Sequence, residues 1–283
     1  MGTLYVVATP IGNLNDMTKR AIETLKEVDI ILCEDTRTSM KLLNNFNIKN
    51  KLMSYHKYNE QEQTKNIIKL LKQDKNIAII TDAGTPCISD PGYILVKEAR
   101  ENNITVIPIG GISALITALS ASGIETDKFT FQGFFPRETK EKTKLLEELN
   151  KTTIKVHIFY ESPKRIIKTL EYLKNNLDIE KISIFKELTK LHEKNYYGSL
   201  EEVLNKLQNE EKTTQGEYTF IIKTKQKQEK EQNISLEALI IDKLIKEQKT
   251  IKEIVEILNK ENKNISKKDL YNASLNLKQI LKK

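Results

Sequence analysis

Residues 77–92 read IAIITDAGTPCISDPG, an apolar run that is followed at once by a turn-forming segment. From Asp82 to Gly92 this segment holds two glycines, two prolines and two aspartates. Glycine lets the backbone approach a ligand closely, and proline fixes φ. A carboxylate at the carboxyl end of a strand points into the crevice where open α/β sheets bind small molecules. The loop therefore indicates either a ligand site or, taken alone, a stiff turn.

Two further segments repeat this pattern. The apolar run 4–8 leads into TPIGNL at 9–14, and the short run 104–107 leads into PIGGIS at 108–113. In a parallel sheet the loops that follow the strands lie along one edge. Three such loops favour one shared ligand site over three independent turns.

The order of apolar runs predicts an α/β protein with two α/β domains. In the first, residues 1–123, strands alternate with helical stretches, which is typical of a parallel sheet. Its strands are expected near 4–8, 29–33, 50–54, 77–81 and 104–107. In the second, residues 124–224, the spacing is less regular and predicts a mixed sheet. Its strands are expected near 129–133, 155–160, 182–187, 193–198 and 217–223.

Residues 225–283 form a third segment with a different composition. Residues 225–232 read as a polar linker with no apolar face to bury. Apolar residues then recur at helical spacing, and Thr250 with Glu253 and Ser266 with Asp269 resemble capping boxes. This predicts a small basic helical unit of helix-turn-helix shape, and such helix pairs either contact nucleic acid or simply pack together.

Composition places the chain among ordinary cytoplasmic proteins. Its 283 residues are 39% hydrophobic, which suffices for real cores, and no apolar run approaches the roughly 18 residues of a membrane span. The start Met1-Gly2-Thr3 lacks the features of a signal peptide. Cys33 and Cys87 form no CxxC pair, so we expect a reducing compartment and no metal site.

The formal charge of +7 is concentrated near the end of the chain. Residues 225–283 contain 14 lysines and 9 acidic residues, which leaves a charge of only +2 for the first 224 residues. Such a segment is either a solvated helical surface or a contact for a polyanion.

Eight motifs in this order resemble those of the small-subunit ribosomal RNA methyltransferase branch of the tetrapyrrole methylase superfamily. The motifs are TPIGNL (9–14), EDTR (34–37), TDAGTP (81–86), SDPG (89–92), IPIG (107–110), GFFP (133–136), YESPKR (160–165) and KELTK (186–190). The resemblance covers nearly the whole chain. It implies a cofactor cleft between the two α/β domains, S-adenosyl-L-methionine as methyl donor, and a homodimer. The implied acceptor is the ribose 2′-hydroxyl of a cytidine in the decoding region of 16S ribosomal RNA. The implied partner is that RNA itself or the small ribosomal subunit that contains it.

The resemblance also implies the residues that contact the donor. They are Pro10, Asp82, Ala83, Gly84, Thr85, Ser113, Ala114, Leu188 and Gly216. Backbone amides and carbonyls of glycine-rich turns suit a neutral polar ligand, and Asp82 can accept a hydrogen bond from a ribose hydroxyl or an amino group.

Methyl transfer to a ribose hydroxyl requires a weak acid to lose its proton during attack, so a base or a stabilising field must lie near the methyl group. The catalytic candidates with motif support are Glu34, Asp35, Arg37, Glu161, Lys186 and Glu187. Other interpretations stay open for two of them, since Asp35 or Thr36 is also a good helix cap and Glu161 is also a charged cap.

The candidate RNA contacts are cationic or lie beside aromatic residues. They are Arg37, His56, Arg165, Lys190, Lys267 and Lys268. His56 stands in Ser54-Tyr55-His56-Lys57-Tyr58, a set suited to base stacking and phosphate pairing, although a lone histidine is more often a plain surface residue. Tyr197 and Gln215 stand where the family usually has a basic residue, which weakens the expectation of phosphate contacts there.

Two other functions fit the same fold. One is a methylase of the same superfamily that acts on a macrocycle or on a protein residue. The other is a non-catalytic ribosome-assembly factor that binds RNA. Nucleotide hydrolysis is disfavoured, because the chain has no GxxxxGK[ST] motif and residues 9–14 lack GxGxxG spacing.

Overall fold

The computed structural model describes residues 1–225, 235–247, 249–261 and 266–280. It divides into two units, Met1–Lys225 and Gln226–Lys283. The predicted linker at 225–232 lies outside the described residues, apart from Lys225.

The first five strands form a wholly parallel sheet, as the alternating pattern predicts. They are β1 (Thr3–Val7), β2 (Ile30–Cys33), β3 (Lys51–Ser54), β4 (Ile77–Ile79) and β5 (Thr105–Ile109). Their order in the sheet is β3-β2-β4-β1-β5, and every neighbouring pair is parallel. β1 and β4 are therefore neighbours, and so are β1 and β5, which brings the loops that follow these strands together.

Helices cover both faces of this sheet. They are α1 (Lys19–Glu27), α2 (Thr36–Asn45), α3 (Glu60–Lys72) and α4 (Tyr93–Glu101), and a fifth helix, α5 (Ala114–Ser120), follows β5. Alternate residues of one strand point to opposite faces. Leu32 accordingly packs in a cluster with Ile67 of α3 and Leu95 of α4, while Ile31 packs with Leu25 of α1. Burying both faces explains why the central strands β2 and β4 are continuous apolar runs.

The second sheet is mixed, as predicted. Its strands are β6 (Phe129–Phe134), β7 (Val156–Glu161), β8 (Ile179–Lys186), β9 (Lys194–Gly198) and β10 (Tyr218–Thr224), in the order β6-β7-β10-β8-β9. Only β6 and β7 pair in parallel. One face is covered by α6 (Thr139–Lys151), α7 (Ile166–Asn176) and α8 (Leu200–Gln208).

The other face of the second sheet packs against α5, the last helix of the first half. Leu115 and Leu119 of α5 share one buried cluster with Ile158 of β7 and Ile221 of β10. Ile11, from the loop after β1, belongs to the same cluster. Full burial of an aliphatic side chain stabilises a fold by about 1.5–3 kcal/mol, so this cluster fixes the two sheets to each other. The two sheets are formed by residues on either side of Gly123, but Met1–Lys225 forms one compact unit, so the division at 1–123 and 124–224 stays a prediction.

The described part of the second unit contains three helices with a common core. They are α9 (Leu236–Glu247), α10 (Ile251–Glu261) and α11 (Lys267–Ile280), and the core includes Ile240, Ile254, Leu258, Leu270 and Leu277. At Thr250 the amide donates to Glu253 Oε2 at 2.9 Å, and the Glu253 amide donates back to Thr250 Oγ1 at 3.4 Å, which is the predicted capping box. No helix in the described part of the chain is both long and apolar enough to cross a membrane.

Candidate active site

The loops after β1 and β4 are joined by backbone hydrogen bonds. The Thr9 amide donates to the Gly84 carbonyl at 2.8 Å, and the Gly84 amide donates to the Thr9 carbonyl at 3.1 Å. The hydroxyl of Thr9 also donates to the Thr81 carbonyl at 3.0 Å. Gly84 has φ +88, a left-handed conformation that glycine adopts without steric cost. The glycine in TDAGTP is therefore needed by the backbone of this junction.

The loop after β5 meets the same junction. A Cβ atom on Gly111 would lie 2.8 Å from the Cβ of Ala8, so the close approach to the end of β1 requires glycine there. The Thr85 hydroxyl donates to the Ile112 carbonyl at 3.4 Å. The convergence of the three loops, predicted from their shared glycine and proline pattern, is confirmed.

The loops and the second sheet together enclose a cavity of about 350 Å³, here called the main cavity. The first half contributes the loop after β1, the loop after β4 and the start of α5. The second half contributes the ends of β6, β7 and β10. Its lining residues are Ile11, Ala83, Gly84, Thr85, Ile88, Ser89, Asp90, Ser113, Ala114, Phe134, Tyr160, Glu161, Ser162, Pro163, Glu217, Tyr218 and Thr219.

The charged groups of the main cavity are all acidic. Asp90, Glu161 and Glu217 line it, and none of its described lining residues is lysine, arginine or histidine. Glu161 is paired with Arg165, and Glu217 is paired with Lys190. Among the residues that the structure describes, Asp90 has no ion-pair partner. The cavity is therefore suited to a neutral or positively charged ligand and not to a phosphate.

Asp90 is half-buried, and its environment favours the protonated form. Burial is the largest cause that raises the pKa of the Asp90 carboxyl, and together with the negative charges of Glu34 and Asp82 it brings this pKa to about 6. The loop reaches this position through Cys87 at φ +70 and Ser89 at φ +67. Composition does not reveal left-handed conformations at residues other than glycine. For this reason the predicted site residues do not include Asp90, although it belongs to the SDPG motif.

The predicted donor contacts divide between the main cavity and its neighbourhood. Ala83, Gly84, Thr85, Ser113 and Ala114 line the main cavity. Pro10 and Asp82 line an adjoining cavity of about 300 Å³ that also includes Ala83, Lys190 and Glu217. Partial burial is the largest cause of a raised pKa at the Asp82 carboxyl. Seven of the nine residues therefore lie in two adjoining cavities.

Leu188 and Gly216 are placed differently. Leu188 is buried in the cluster that joins the two sheets, together with Ile11 and Leu115. Because Ile11 belongs to the loop after β1, Leu188 supports that loop through this cluster. Gly216 lines a third cavity and has φ +91. A Cβ atom on Gly216 would lie 2.6 Å from Glu187 Cγ, so glycine there makes room for the Glu187 side chain.

Glu161 lies at the end of β7 with both carboxylate oxygens engaged. Oε1 accepts from the Ser162 amide at 2.7 Å and from Arg165 Nε at 2.8 Å, and Oε2 accepts from the Thr169 hydroxyl at 2.6 Å. Arg165 also donates to the Phe135 carbonyl at 3.0 Å. The arrangement supports the edge of the main cavity and fixes the Arg165 guanidinium.

Glu34, Asp35 and Arg37 follow β2, at the edge of the sheet where the loops converge. Asp35 is the N-cap of α2 and accepts from the Arg37 amide at 2.8 Å, while its carboxylate also pairs with the Arg37 guanidinium at 3.0 Å. The Arg37 hydrogen bond is the largest cause that lowers the pKa of Asp35, to about 2. Asp35 is therefore both the helix cap that the sequence allows and the ion-pair partner of Arg37. Glu34 is exposed and lies near enough to Asp90 to raise its pKa.

Lys186 and Glu187 line the third cavity, of about 510 Å³, and not the main cavity. Lys186 is buried, and its ammonium donates to Glu210 Oε1 at 2.8 Å and to the Lys212 carbonyl at 2.6 Å. Glu187 Oε1 accepts from Lys190 at 2.9 Å and from the Glu217 amide at 2.9 Å. The geometry separates these two residues from the other catalytic candidates.

The predicted RNA contacts are spread over the surface. Arg37 is exposed, whereas Lys190 is bound between Glu187 and Glu217 and lies across Gly12. His56 is half-buried, and its Nδ1 atom is buried without a hydrogen-bond partner among the described residues. Lys267 and Lys268 are exposed at the start of α11.

Sequence reasoning missed the aromatic wall of the main cavity. Phe134 and Tyr160 make an edge contact with ring centroids 5.7 Å apart, and Tyr160 also meets Phe131 at 4.9 Å. Phe134 lies in the GFFP motif and Tyr160 in the YESPKR motif, and membership of these motifs was the one sequence feature that could have indicated a role in the site. No group of three or more His, Cys, Asp or Glu side chains in the described part of the chain is arranged to hold a metal ion.

Comparison with known proteins agrees with this architecture. Residues 3–204 match the family described as Tetrapyrrole (Corrin/Porphyrin) Methylases. Among solved structures, a diphthine synthase matches with a TM-score of 0.63 and 10% identity, over 80% of this chain and 90% of that one. A uroporphyrin-III-C-methyltransferase from Thermus thermophilus matches with a TM-score of 0.54 and 15% identity, over 79% of this chain and 94% of that one. These two likenesses show the fold.

Curated relatives are closer in sequence, and those described here share the name ribosomal RNA small subunit methyltransferase I. The relative from Halalkalibacterium halodurans is 49% identical over 78% of this chain and 75% of its own length. The relative from Haemophilus influenzae is 42% identical over 91% of both chains, and that from Thermotoga maritima is 43% identical over 80% of this chain and all of its own. The chain therefore belongs to the ribosomal RNA small subunit methyltransferase I family of the tetrapyrrole methylases.

Proposed function

We propose that this methyltransferase moves a methyl group from S-adenosyl-L-methionine to the ribose 2′-hydroxyl of a cytidine in the decoding region of 16S ribosomal RNA. The observation that supports it most directly is the charge of the main cavity, which is lined by three carboxylates and, among the described residues, by no basic side chain. A positively charged sulfonium and a neutral ribose suit such a cavity, whereas a phosphate does not.

The residues present fit this donor. Gly84 turns the backbone at φ +88, and a Cβ atom there would lie 3.3 Å from Ile11 Cγ2. The absence of a side chain at Gly84 therefore keeps space open beside Ile11 in the cavity wall. We assign the donor to the loop residues Ala83, Gly84 and Thr85, with Ser113 and Ala114 at the start of α5. Pro10 and Asp82 adjoin them, and Leu188 and Gly216 support them through Ile11 and Glu187. When bound, S-adenosyl-L-methionine supplies an electrophilic methyl group on a positively charged sulfur.

Asp90 is the side chain that we assign as proton acceptor. The Asp90 carboxylate would accept the proton that the ribose hydroxyl loses on methylation, and the donor held by the loops would supply the methyl group. A pKa of about 6 leaves Asp90 ionised at neutral pH and more basic than an ordinary aspartate. A positioned general base contributes about 10² to 10⁴ in rate.

The other catalytic candidates take supporting roles in this proposal. Glu161 has both carboxylate oxygens engaged, so it holds Arg165 and the turn after β7 in place. Glu34 acts through its charge on Asp90, and the Asp35–Arg37 pair fixes the start of α2 nearby. Lys186 and Glu187 shape the neighbouring cavity and, through Lys190 and Glu217, the loop after β1.

The RNA would be held outside the main cavity, because the described lining of that cavity offers no cation for a phosphate. We assign the RNA contacts to Arg37, His56, Arg165 and Lys190 of the first unit and to Lys267 and Lys268 of the basic C-terminal unit. We propose the small ribosomal subunit or its 16S RNA as the partner, a homodimer as the assembly and the cytoplasm as the location.

Two measurements test the proposed function. Calorimetry should show binding of S-adenosyl-L-methionine by the full chain. Mass mapping of 16S RNA incubated with protein and donor should show one new 2′-O-methylcytidine in the decoding region. RNA binding without donor affinity would identify a non-catalytic assembly factor, and methylation of a macrocycle or a protein with RNA unmodified would identify a different methylase.

A further inference from the structure

A further cavity adjoins the main cavity at the exposed ring of Phe134. This arginine cavity has a volume of about 380 Å³ and is lined by Phe134, Phe135, Pro136, Arg137, Glu138, Glu141, Ser162 and Arg165. Phe134 and Ser162 line both cavities. The Phe134 ring therefore stands at the boundary between an acidic cavity and one that contains two arginines.

A bulge in β6 is what places this ring on the cavity side of the sheet. Phe131 pairs with Ile158 and Phe134 pairs with Tyr160, so three steps along β6 match two steps along β7. In a regular strand Phe131 and Phe134 would point to opposite faces, since side chains alternate. The extra residue, with Gly133 at φ +68, puts both rings on the face of Tyr160, which both of them contact.

The ring is exposed even though it is large and apolar. Phe134 is 57% exposed, while the next residue, Phe135, is 1% exposed in the core of the second half. The edge contact with Tyr160 holds the Phe134 ring at an interplanar angle of 67° and leaves much of its surface open. An exposed aromatic ring at a cavity edge is a ready stacking surface for a base.

Charge distinguishes the two cavities. Arg137 is exposed and has no ion-pair or hydrogen-bond partner among the described residues, whereas Arg165 is held by Glu161 and the Phe135 carbonyl. Because Glu138 and Glu141 also line the arginine cavity, its formal charge is balanced. Among its described lining residues, Arg137 alone is a cation that is free to pair with a phosphate, so the cavity suits a single nucleotide and not a long run of backbone.

We propose that the arginine cavity binds a nucleotide of single-stranded RNA, with its base stacked on Phe134 and its phosphate paired with Arg137, while the ribose of the acceptor enters the main cavity. This inference rests on the proposed function and adds the site that selects and orients the acceptor strand. It explains how an acidic cavity can receive the sugar of a polyanion: the phosphate stays on the other side of the ring.

Intrinsic fluorescence gives a direct test because the chain contains no tryptophan. Phe134→Trp introduces a single indole at the proposed stacking position. Tyr197→Trp is a matched control, because Tyr197 is 50% exposed on β9, the edge strand at the opposite end of the same sheet. A single-stranded RNA oligonucleotide containing the decoding-region cytidine is added with S-adenosyl-L-methionine present. It should quench the indole emission of Phe134→Trp in a saturable manner and leave that of Tyr197→Trp unchanged.

Kinetics supply the second measurement. Phe134→Ala should raise the KM for RNA at least about tenfold, because truncation removes the ring on which the base stacks, and it should change the donor dissociation constant far less. Phe134→Tyr should restore the KM. Arg137→Ala should weaken RNA binding and reduce the slope of log affinity against log salt by about 1, whereas Arg20→Ala, an exposed arginine on α1 that lines neither cavity, should not.

The outcomes separate the inference from the proposed function. Suppose that the oligonucleotide is bound and methylated, but the emission of Phe134→Trp is not quenched and Phe134→Ala keeps its KM. The arginine cavity is then not the nucleotide site, and the methyltransferase assignment stands. If no RNA is bound while the donor is, both proposals fail.

Discussion

Replacing Asp90 with asparagine removes the one carboxylate of the main cavity that has no ion-pair partner among the described residues. The change keeps the shape of the side chain and removes its charge. In the folded protein burial raises the pKa of Asp90 from its ordinary value of 3.8 to about 6. The folded state therefore binds this proton more tightly than the unfolded chain does.

The sign of the effect on stability follows from this difference. The unfolded carboxyl loses its proton near pH 4 and the folded one near pH 6, so this group makes the free energy of unfolding fall as pH rises between those values. A shift of about two pKa units corresponds to at most about 3 kcal/mol. Because Asp90 is only half-buried, solvent screening reduces this to about 1–2 kcal/mol.

We therefore expect Asp90→Asn to raise the free energy of unfolding by about 1–2 kcal/mol at pH 7.5. The gain should shrink as pH falls from 6 to 4. Urea unfolding of both proteins at several pH values measures it, and Asp127→Asn is a suitable control because Asp127 is an exposed aspartate. Equal stabilities of Asp90→Asn and the parent protein at every pH would refute the burial argument.

The same variant tests the proton-acceptor role. With the native chain, kcat should rise with pH through about 6 and then level off, since only the ionised Asp90 accepts a proton. Asp90→Asn should lower kcat by about 10² to 10⁴ and abolish this rise with pH, when each protein is measured at a donor concentration that saturates it. A variant that keeps the native rate and pH profile would show that the proton goes elsewhere.

Three further changes have defined outcomes. Gly84→Val should abolish donor binding in calorimetry while the circular dichroism spectrum stays the same. The reason is that a valine at φ +88 is strained by about 1–3 kcal/mol and that its Cβ atom meets Ile11. An unchanged donor affinity would contradict the loop assignment. Glu161→Gln should lower the free energy of unfolding by about 2 kcal/mol in urea, since it leaves the part-buried Arg165 without its charge partner. Deleting residues 226–283 should weaken RNA affinity and its salt dependence but leave donor binding unchanged. None of the described residues that line the main cavity belongs to the removed unit. If the slope of log affinity against log salt is the same with and without residues 226–283, this unit does not contact RNA.

The sequence predicts the regular parts of this protein well. Continuous apolar runs predict β2 and β4 because a parallel sheet buries both faces. The glycine and proline loops predict their own convergence because parallel strands end at one edge. Thr250 and Glu253 predict their own capping box because the contact is local. In each case the physical cause acts over a few residues or follows from strand direction alone.

Long-range placement limits the prediction of the catalytic residues. Lys186 and Glu187 end a strand, as Glu161 does, yet β8 lies two places from β7 in the second sheet and its end opens into another cavity. Glu187 has a left-handed conformation at φ +53, and the next residue, Leu188, turns into the cluster between the two sheets. The order of strands within the sheet decides these positions, and no local pattern contains that order.

The two sides of the site differ in how they are built, and this explains which residues were missed. The donor side consists of loops after regular strands, where glycine marks the sharp turns. The acceptor side depends on irregular backbone, with left-handed Cys87 and Ser89 before Asp90 and the bulge at Gly133 before Phe134. A Cβ atom on Gly133 would lie 3.8 Å from Ser89 Oγ, so the two irregular segments also meet each other. Removing the bulge would move the Phe134 ring to the other face of the sheet, so the main cavity and the arginine cavity would lose a side chain that lines both of them. The loops that hold the donor would keep their positions.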